Sequence, residues 1–300
     1  MLWILLAFIS AFATSLTTIF AKIGIKDVNS NFATFCRTGV VIIFAIIMCF
    51  ITNGFPSILN FTWENYVFLS LSGLATGCSW LCYYKAIKLG DVNKVAPIDK
   101  SSFVLTSILF VIFFFNDTTK NGNILTISML VLSMILMLTG TILMITKKEI
   151  NKENKQSKMW LIFAILSSVF ASLVSLFVKL GVKNIDSNLG TLYRTIIVFL
   201  FSLAIVLVRK DYKGASKITV KSWLFLTLSG IATGVAWICE YYCLSLDGVN
   251  SIVVTSIEKL SILITMLFCL LVLKEKFTIK SIIGLILLVA GIILIIIFGL

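Results

Sequence analysis

Three hundred residues, 59% hydrophobic and only 13% charged, hold too little polar material to coat a water-soluble domain of this size. The net charge of +12 comes from lysines and arginines in short stretches between apolar runs, a pattern that marks one face of a membrane and excludes a nucleic-acid partner. With no histidine there is no Ser-His-Asp or Cys-His site, and with no Walker-type glycine-rich loop there is no ATP drive, so an enzyme is not expected.

Ten apolar spans follow one another, at roughly 3–22, 32–52, 66–88, 95–115, 124–146, 159–179, 189–208, 222–245, 250–273 and 281–299. The first has no basic leader and no small-residue cleavage site, so it reads as a retained helix. The chain is therefore expected to be an all-α polytopic membrane protein with ten transmembrane helices. One long charged stretch, KKEINKENKQSK, follows span five. It divides the chain into a first unit at 1–147, a linker at 148–157 and a second unit at 158–300.

The two units are copies. Residues 15–38 and 172–195 share eleven identities at an offset of 157, among them Arg37 with Arg194 and Thr34 with Thr191. SGLATGCSWLCYY at 72–84 returns as SGIATGVAWICEY at 229–241, identical at eight of thirteen positions. Beyond this stretch the offset becomes 159, and Asp99–Lys100 meets Glu258–Lys259. Five spans per copy is an odd number, so the copies must cross the membrane in opposite senses, as two inverted five-helix repeats. Loops after odd-numbered spans hold 18 Lys and Arg residues against three after even-numbered ones, which puts the odd loops in the cytoplasm and both termini outside.

Several side chains need a reason to be where they are. On a helix, Gly73, Gly77, Trp80 and Tyr84 share one face, as do Gly230, Gly234, Trp237 and Tyr241: two small residues for close approach, then two aromatics. That face is either a packing seam or the wall of a central cavity. The copies differ at Tyr83, which becomes Glu240. An acid in that apolar, aromatic setting suits proton coupling or the binding of a cationic group, with snorkelling to the external interface as the bland reading. Charges within spans are costly unless paired or wetted. Arg37, Asp99 and Lys100 toward the cytoplasm, and Arg194, Glu258 and Lys259 toward the outside, are expected to form two networks, either gates that close alternately or fixed pairs that set helix register. Cys78/Cys82 and Cys239/Cys243 have an i, i+4 spacing, but with no histidine and no carboxylate cluster no metal is expected.

AKIGIKDVNSNFATFCRT at 21–38, its echo VKLGVKNIDSNLGTLYRT at 178–195, and the stretch from Ser72 to Ser102 with its own echo resemble the drug/metabolite transporter superfamily, in particular its EamA-type members. The resemblance covers nearly the whole chain. It implies an inverted-repeat bundle with a central cavity that moves small metabolites by alternating access. Members often carry an acid after the fourth span of a half; Glu275 matches this, whereas the first half has Asn116–Asp117.

The expected activity is secondary active transport of a small metabolite, with an amino acid or another zwitterion or amine favoured and protons as coupling ion. Trp80, Tyr83, Tyr84, Trp237 and Tyr241 would meet the substrate. Glu240 would couple protons or bind a cation, and Lys100 and Lys259 would hold an anionic group. A flippase for a lipid-linked or amphipathic molecule and a non-transporting membrane scaffold remain as alternatives. No cofactor is expected. The partners are a small-molecule substrate and the lipid bilayer of the plasma membrane, with the protein a monomer or homodimer.

Overall fold

Apolar residues run without a proline from Leu2 to Gly24 and form α1. The remaining helices are α2 (Ser30–Ile51), a 3-10 turn at Phe55–Asn60, α3 (Trp63–Leu89), α4 (Ser102–Phe113), α5 (Ile124–Ile145), α6 (Met159–Gly181), α7 (Ser187–Arg209), α8 (Val220–Ser245), α9 (Ser251–Lys259), α10 (Ser261–Leu271) and α11 (Ile279–Gly299). The structure, a computed structural model, describes residues 2–24, 28–89, 95, 98–99, 101–115, 119, 123–145, 159–212, 218–271 and 278–299. Lys100, Asn116–Asp117, Glu275 and the linker 148–157 lie outside the described residues, as does the side chain of Tyr84. All regular structure among the described residues is helical.

Side-chain oxygens fix where helices begin. Asn29, Asp186, Thr219 and Asn250 each accept a hydrogen bond from a backbone amide in the first turn of α2, α7, α8 and α9. Eight helices, α1–α3, α5–α8 and α11, are long and apolar enough to cross a membrane among the described residues. Their outer faces are oily: Ile43, Ile47 and Phe50 on α2 are exposed, as are Ile286, Ile293 and Ile297 on α11. Small and hydroxyl residues such as Ala7, Ser10, Ala33, Ala45, Ser72 and Ser167 turn inward, where helices approach closely without a hydrophobic drive.

The expected spans 95–115 and 250–273 are not uninterrupted helices. α9 ends at Lys259, and the Leu260 amide reaches back three residues to Ile257 O (3.0 Å), as Leu263 does to Leu260 O (2.9 Å). At the position 159 residues earlier, the Val104 amide bonds to Ser101 O at 3.0 Å and Ser101 Oγ donates to Ile98 O at 2.6 Å. A tightened turn of this kind inside a long apolar run marks a hinge or functional break. It stands two residues after Asp99 in one unit and two after Glu258 in the other.

Packing brings together helices from opposite ends of the chain. Along α1 and α8, Ser10 Oγ donates to Ala236 O (2.9 Å), Ser229 Oγ to Thr17 O (2.8 Å) and Cys243 Sγ to Trp3 O (3.2 Å), so the two are antiparallel. Along α6 and α3, Ser167 Oγ donates to Ser79 O (3.1 Å), Ser72 Oγ to Val174 O (3.2 Å) and Asn65 Nδ2 to Gly181 O (2.9 Å), again antiparallel. α2 also runs against α7, from Phe35 stacked on Phe199 to Thr52 bonded to Asn188. α3 lies parallel to α7, with Gly73 against Ile197 and Gly77 under Phe201, and α8 lies parallel to α2, with Gly230 against Val40 and Gly234 under Phe44. Thus α1, α3 and α7 point one way and α2, α6 and α8 the other. Four of these contacts have twins when their residues are shifted by 157: Ser10 on 236 becomes Ser167 on 79, Ser229 on 17 becomes Ser72 on 174, Gly73 on Ile197 becomes Gly230 on Val40, and Gly77 under Phe201 becomes Gly234 under Phe44.

Candidate functional site

Arginine in a bilayer is expensive, so its surroundings matter most. Arg194, on α7, is only 1% exposed and is the largest fully buried side chain among the described residues. Its Nε donates to Ser72 Oγ (2.8 Å) and its Nη2 to Thr76 Oγ1 (2.7 Å), both on α3. These hydroxyls give their own protons to the carbonyls of Val174 and Ser72, which leaves oxygen lone pairs for the guanidinium. The guanidinium carbon sits 4.6 Å from the Trp237 ring centroid and 5.2 Å from that of Tyr241, within cation–π range. Trp237 and Tyr241 stack with centroids 6.3 Å apart and planes at 16°.

Arg37, the residue matched to Arg194, is less enclosed. It is half-buried, and its Nη2 donates to Thr233 Oγ1 at 3.1 Å, the twin of the Arg194–Thr76 bond. Around it is a cavity of about 90 Å³, lined by Thr34, Arg37, Thr38 and Val41 of α2, Trp80 of α3, and Thr233 and Trp237 of α8. Trp237 therefore serves both arginines, lining this cavity on the one hand and packing on Arg194 on the other. The two expected tryptophans meet here, one from each unit. Arg37 was expected in a charged network rather than on a cavity wall, and the threonines were not foreseen. A trace of them was present in the sequence, because Thr34, Thr38 and Thr76 all recur as Thr191, Thr195 and Thr233.

The acids occupy the neighbouring layer. Lys259 Nζ pairs with Glu258 Oε2 at 2.6 Å, with 22% and 17% of the two side chains exposed. Glu240 lies near enough to feel the charges of Glu258, Lys259 and Arg194, and Lys259 those of Glu240 and Asp99. Asp99 Oδ1 accepts from Ser167 Oγ at 2.6 Å, tying it to the seam between α3 and α6. The arrangement differs from two separate charged networks: Arg194 bonds to hydroxyls rather than to Glu258, and Asp99 of one unit acts on Lys259 of the other. Tyr83 packs with Ala86, Val95, Ile98, Trp160 and Phe163, outside the residues that line the cavity.

Polar contacts tie the helix ends on either side of this layer. At one end Asn65 Nδ2 bonds to the carbonyls of Gly181 and Lys183 (2.9 and 3.0 Å) and the Asp186 amide to Ser57 Oγ (2.9 Å). At the other, Asn29 and Asn31 each donate to one carboxylate oxygen of Asp211, at 2.9 and 2.7 Å.

The model of the EamA-like transporter family matches residues 1–146 and again 158–297. The chain belongs to the EamA-like transporter family. An uncharacterized transporter in the cobO 3′ region of Sinorhizobium sp. is 42% identical over 111 residues, 37% of this chain and 79% of that protein. A crystal structure of another protein superposes with a TM-score of 0.74 over 97% of this chain and 94% of the other, at 15% identity, so the two share a fold. For this EamA-like chain, membership makes it a multi-pass membrane transporter, with a small-molecule substrate and the bilayer as its partners.

Proposed function

We propose that this chain is a secondary active transporter that moves a small metabolite by alternating access. It is built from two inverted five-span units at 1–147 and 158–300, and it resides in the plasma membrane with both termini outside. The observation that carries this reading is the cavity between Trp80 and Trp237, with Arg37 on its wall and Arg194 sealed beyond Trp237. The twinned contacts and opposed helix directions support inversion, and breaks beside Asp99 and Glu258 supply hinges where charged groups could be exposed in turn. The test is counterflow in proteoliposomes, with radiolabelled amino acids, amines and carboxylates offered in turn. A protein that moves none of them from either side is not this transporter.

Glu240 takes the coupling role in this reading. Glu240 has no acidic twin, Tyr83 standing at the matched position, and it lies near Arg194, Glu258 and Lys259. Glu240→Gln should leave substrate exchange intact while reducing proton-gradient-driven accumulation about tenfold, a coupling of ~1.4 kcal/mol. Parallel uptake measurements with and without an imposed pH gradient decide it, because equal accumulation by Glu240→Gln and the parent would remove Glu240 from coupling. A flippase needs a polar cavity that opens sideways to lipid. The apolar groove of about 180 Å³ between α4 and α5 shares no residue with the Arg37 cavity, so the reading for soluble substrates stands ahead.

A further inference from the structure

We infer that the Asp211 carboxylate, gripped by Asn29 and Asn31, is the latch that shuts the central cavity on the side where α2 begins and α7 ends. In the topology proposed above this is the cytoplasmic side, and the inference rests on the transport reading for the claim that the latch opens in a cycle. Asn29 Oδ1 accepts from the Asn31 amide at 2.8 Å, which caps α2 and turns the Asn29 side-chain amide toward α7. Its Nδ2 donates to Asp211 Oδ1 at 2.9 Å, and Asn31 Nδ2 donates to Asp211 Oδ2 at 2.7 Å. Both oxygens of one half-buried carboxylate are thus held by two amides preset on a single turn, and bonds to an ionised acceptor are the strong kind. Asn31 is also on the wall of a narrow space, lined with it among the described residues by Thr34, Trp80, Leu81, Ser202 and Ile205. Thr34 and Trp80 continue into the Arg37 cavity. The latch therefore joins α2 to α7 at the outer end of a track that leads to that cavity.

The opposite end of the α2–α7 pair holds the twin residues without the latch. Shifting Asp211 by 157 gives Gly54, while Asn29 and Asn31 give Asp186 and Asn188. A side chain at 54 would displace the Asp186 carboxylate, since a Cβ there would stand 2.5 Å from its Oδ1. That carboxylate accepts from the Leu189 amide of its own helix (2.9 Å). What crosses between the two helices at this end is neutral: the Asp186 amide to Ser57 Oγ (2.9 Å) and Asn188 Nδ2 to Thr52 Oγ1 (3.1 Å). Asn188 Oδ1 is buried with no hydrogen-bond partner. One end is therefore closed by two bonds to a charge, the other by two neutral bonds with an acceptor left over. Because α2 and α7 run antiparallel, loosening either end swings the helices apart on that side about the other. The neutral end parts more readily, and the Asp211 end stays shut until its carboxylate is released.

The test is hydrogen–deuterium exchange, read by mass spectrometry, on the full-length chain in proteoliposomes. It compares the first turns of α2 and the last turns of α7 with the opposite ends of both helices. Asp211→Asn removes the charge and one of the two acceptors. Asn29→Asp keeps an oxygen for capping α2 but sets a second carboxylate against Asp211. Each should raise exchange at the latch end about tenfold and leave the other end unchanged. Combining the two substitutions restores one acid facing one amide, so exchange should return to that of the parent, and this double variant separates a lost latch from lost folding. Unchanged exchange in both single variants, an equal rise at both ends, or a double variant as open as the single ones would each overturn the inference. Counterflow is scored in parallel: flux with exchange indifferent to Asp211 sinks this inference alone, whereas latch-dependent exchange without flux of any substrate sinks the transport reading alone.

Discussion

Arg194→Leu should lower the unfolding midpoint of the detergent-purified protein by about 6–12 °C, and Arg37→Leu by far less. Arg194 makes two charge-assisted hydrogen bonds, each worth about 1.5–3 kcal/mol. Its contacts with two aromatic rings add about 2 kcal/mol in a dry setting. Removing a buried guanidinium also relieves a desolvation cost of several kcal/mol, which opposes these losses. The net loss of about 3 kcal/mol, at about 2–4 °C per kcal/mol for a chain of this class, sets the expected range. Arg37 is half-buried and partly hydrated, so water offsets much of what its removal loses and the cost should be about 1 kcal/mol. Differential scanning fluorimetry on both variants reads the contrast. Equal losses would mean that the two arginines are held alike, and the asymmetry of the central layer would go with it.

The second large effect lies far from the charges, on the seam between α5 and α11. A Cβ on Gly140 would stand 2.5 Å from Gly284 O and 2.7 Å from Leu288 N, which are backbone atoms that cannot turn aside. The reciprocal Cβ on Gly284 would stand 2.5 Å from Gly140 O. One added methyl must therefore push two whole helices apart, at a cost of about 1–3 kcal/mol or more. Gly140→Ala should lose several degrees of thermal stability, and Gly140→Leu should give little monodisperse protein on size-exclusion chromatography. Gly39 is the control, because its added Cβ would meet only the Phe199 ring at an ordinary 3.5 Å. If Gly140→Ala proves as stable as Gly39→Ala, the two helices do not meet in this way.

Much of this could be read from the sequence because duplication makes the chain its own alignment. Arg37 and Arg194, Trp80 and Trp237, and the glycines of α3 and α8 stand out as repeated residues in an otherwise oily background, and all of those described come to the centre or its seams. Hydroxyl residues were harder to see. Threonine and serine are common within spans and usually bond to their own helix, as Thr38 does to Thr34 O. Only the fold reveals that Ser72, Thr76 and Thr233 also face an arginine. Nor could apolar content show where the helix tightens at Ser101 and Leu260, since Leu260 is itself a good helix former. Tyr83 instead packs with Trp160 and Phe163, while Glu240, at the matched position, lies near Glu258, Lys259 and Arg194, so matched sequence positions need not share a wall.

The seam between α3 and α6 is better stitched than its twin between α1 and α8. Ser79 Oγ adds a bond to Ser167 O (3.1 Å) and Asp99 anchors Ser167, while at the twin of Ser79 stands Ala236, which has no hydroxyl to offer. In the proposed transport cycle, duplicate interfaces would give two near-degenerate arrangements, obtained by exchanging which interface is tight and which is slack. Their energy gap comes only from mismatched twins such as these. Under the alternating access proposed above, the resting preference would be written in a few unpaired differences between the halves, and Ser79→Ala would bring the two basins closer to parity without touching the cavity wall.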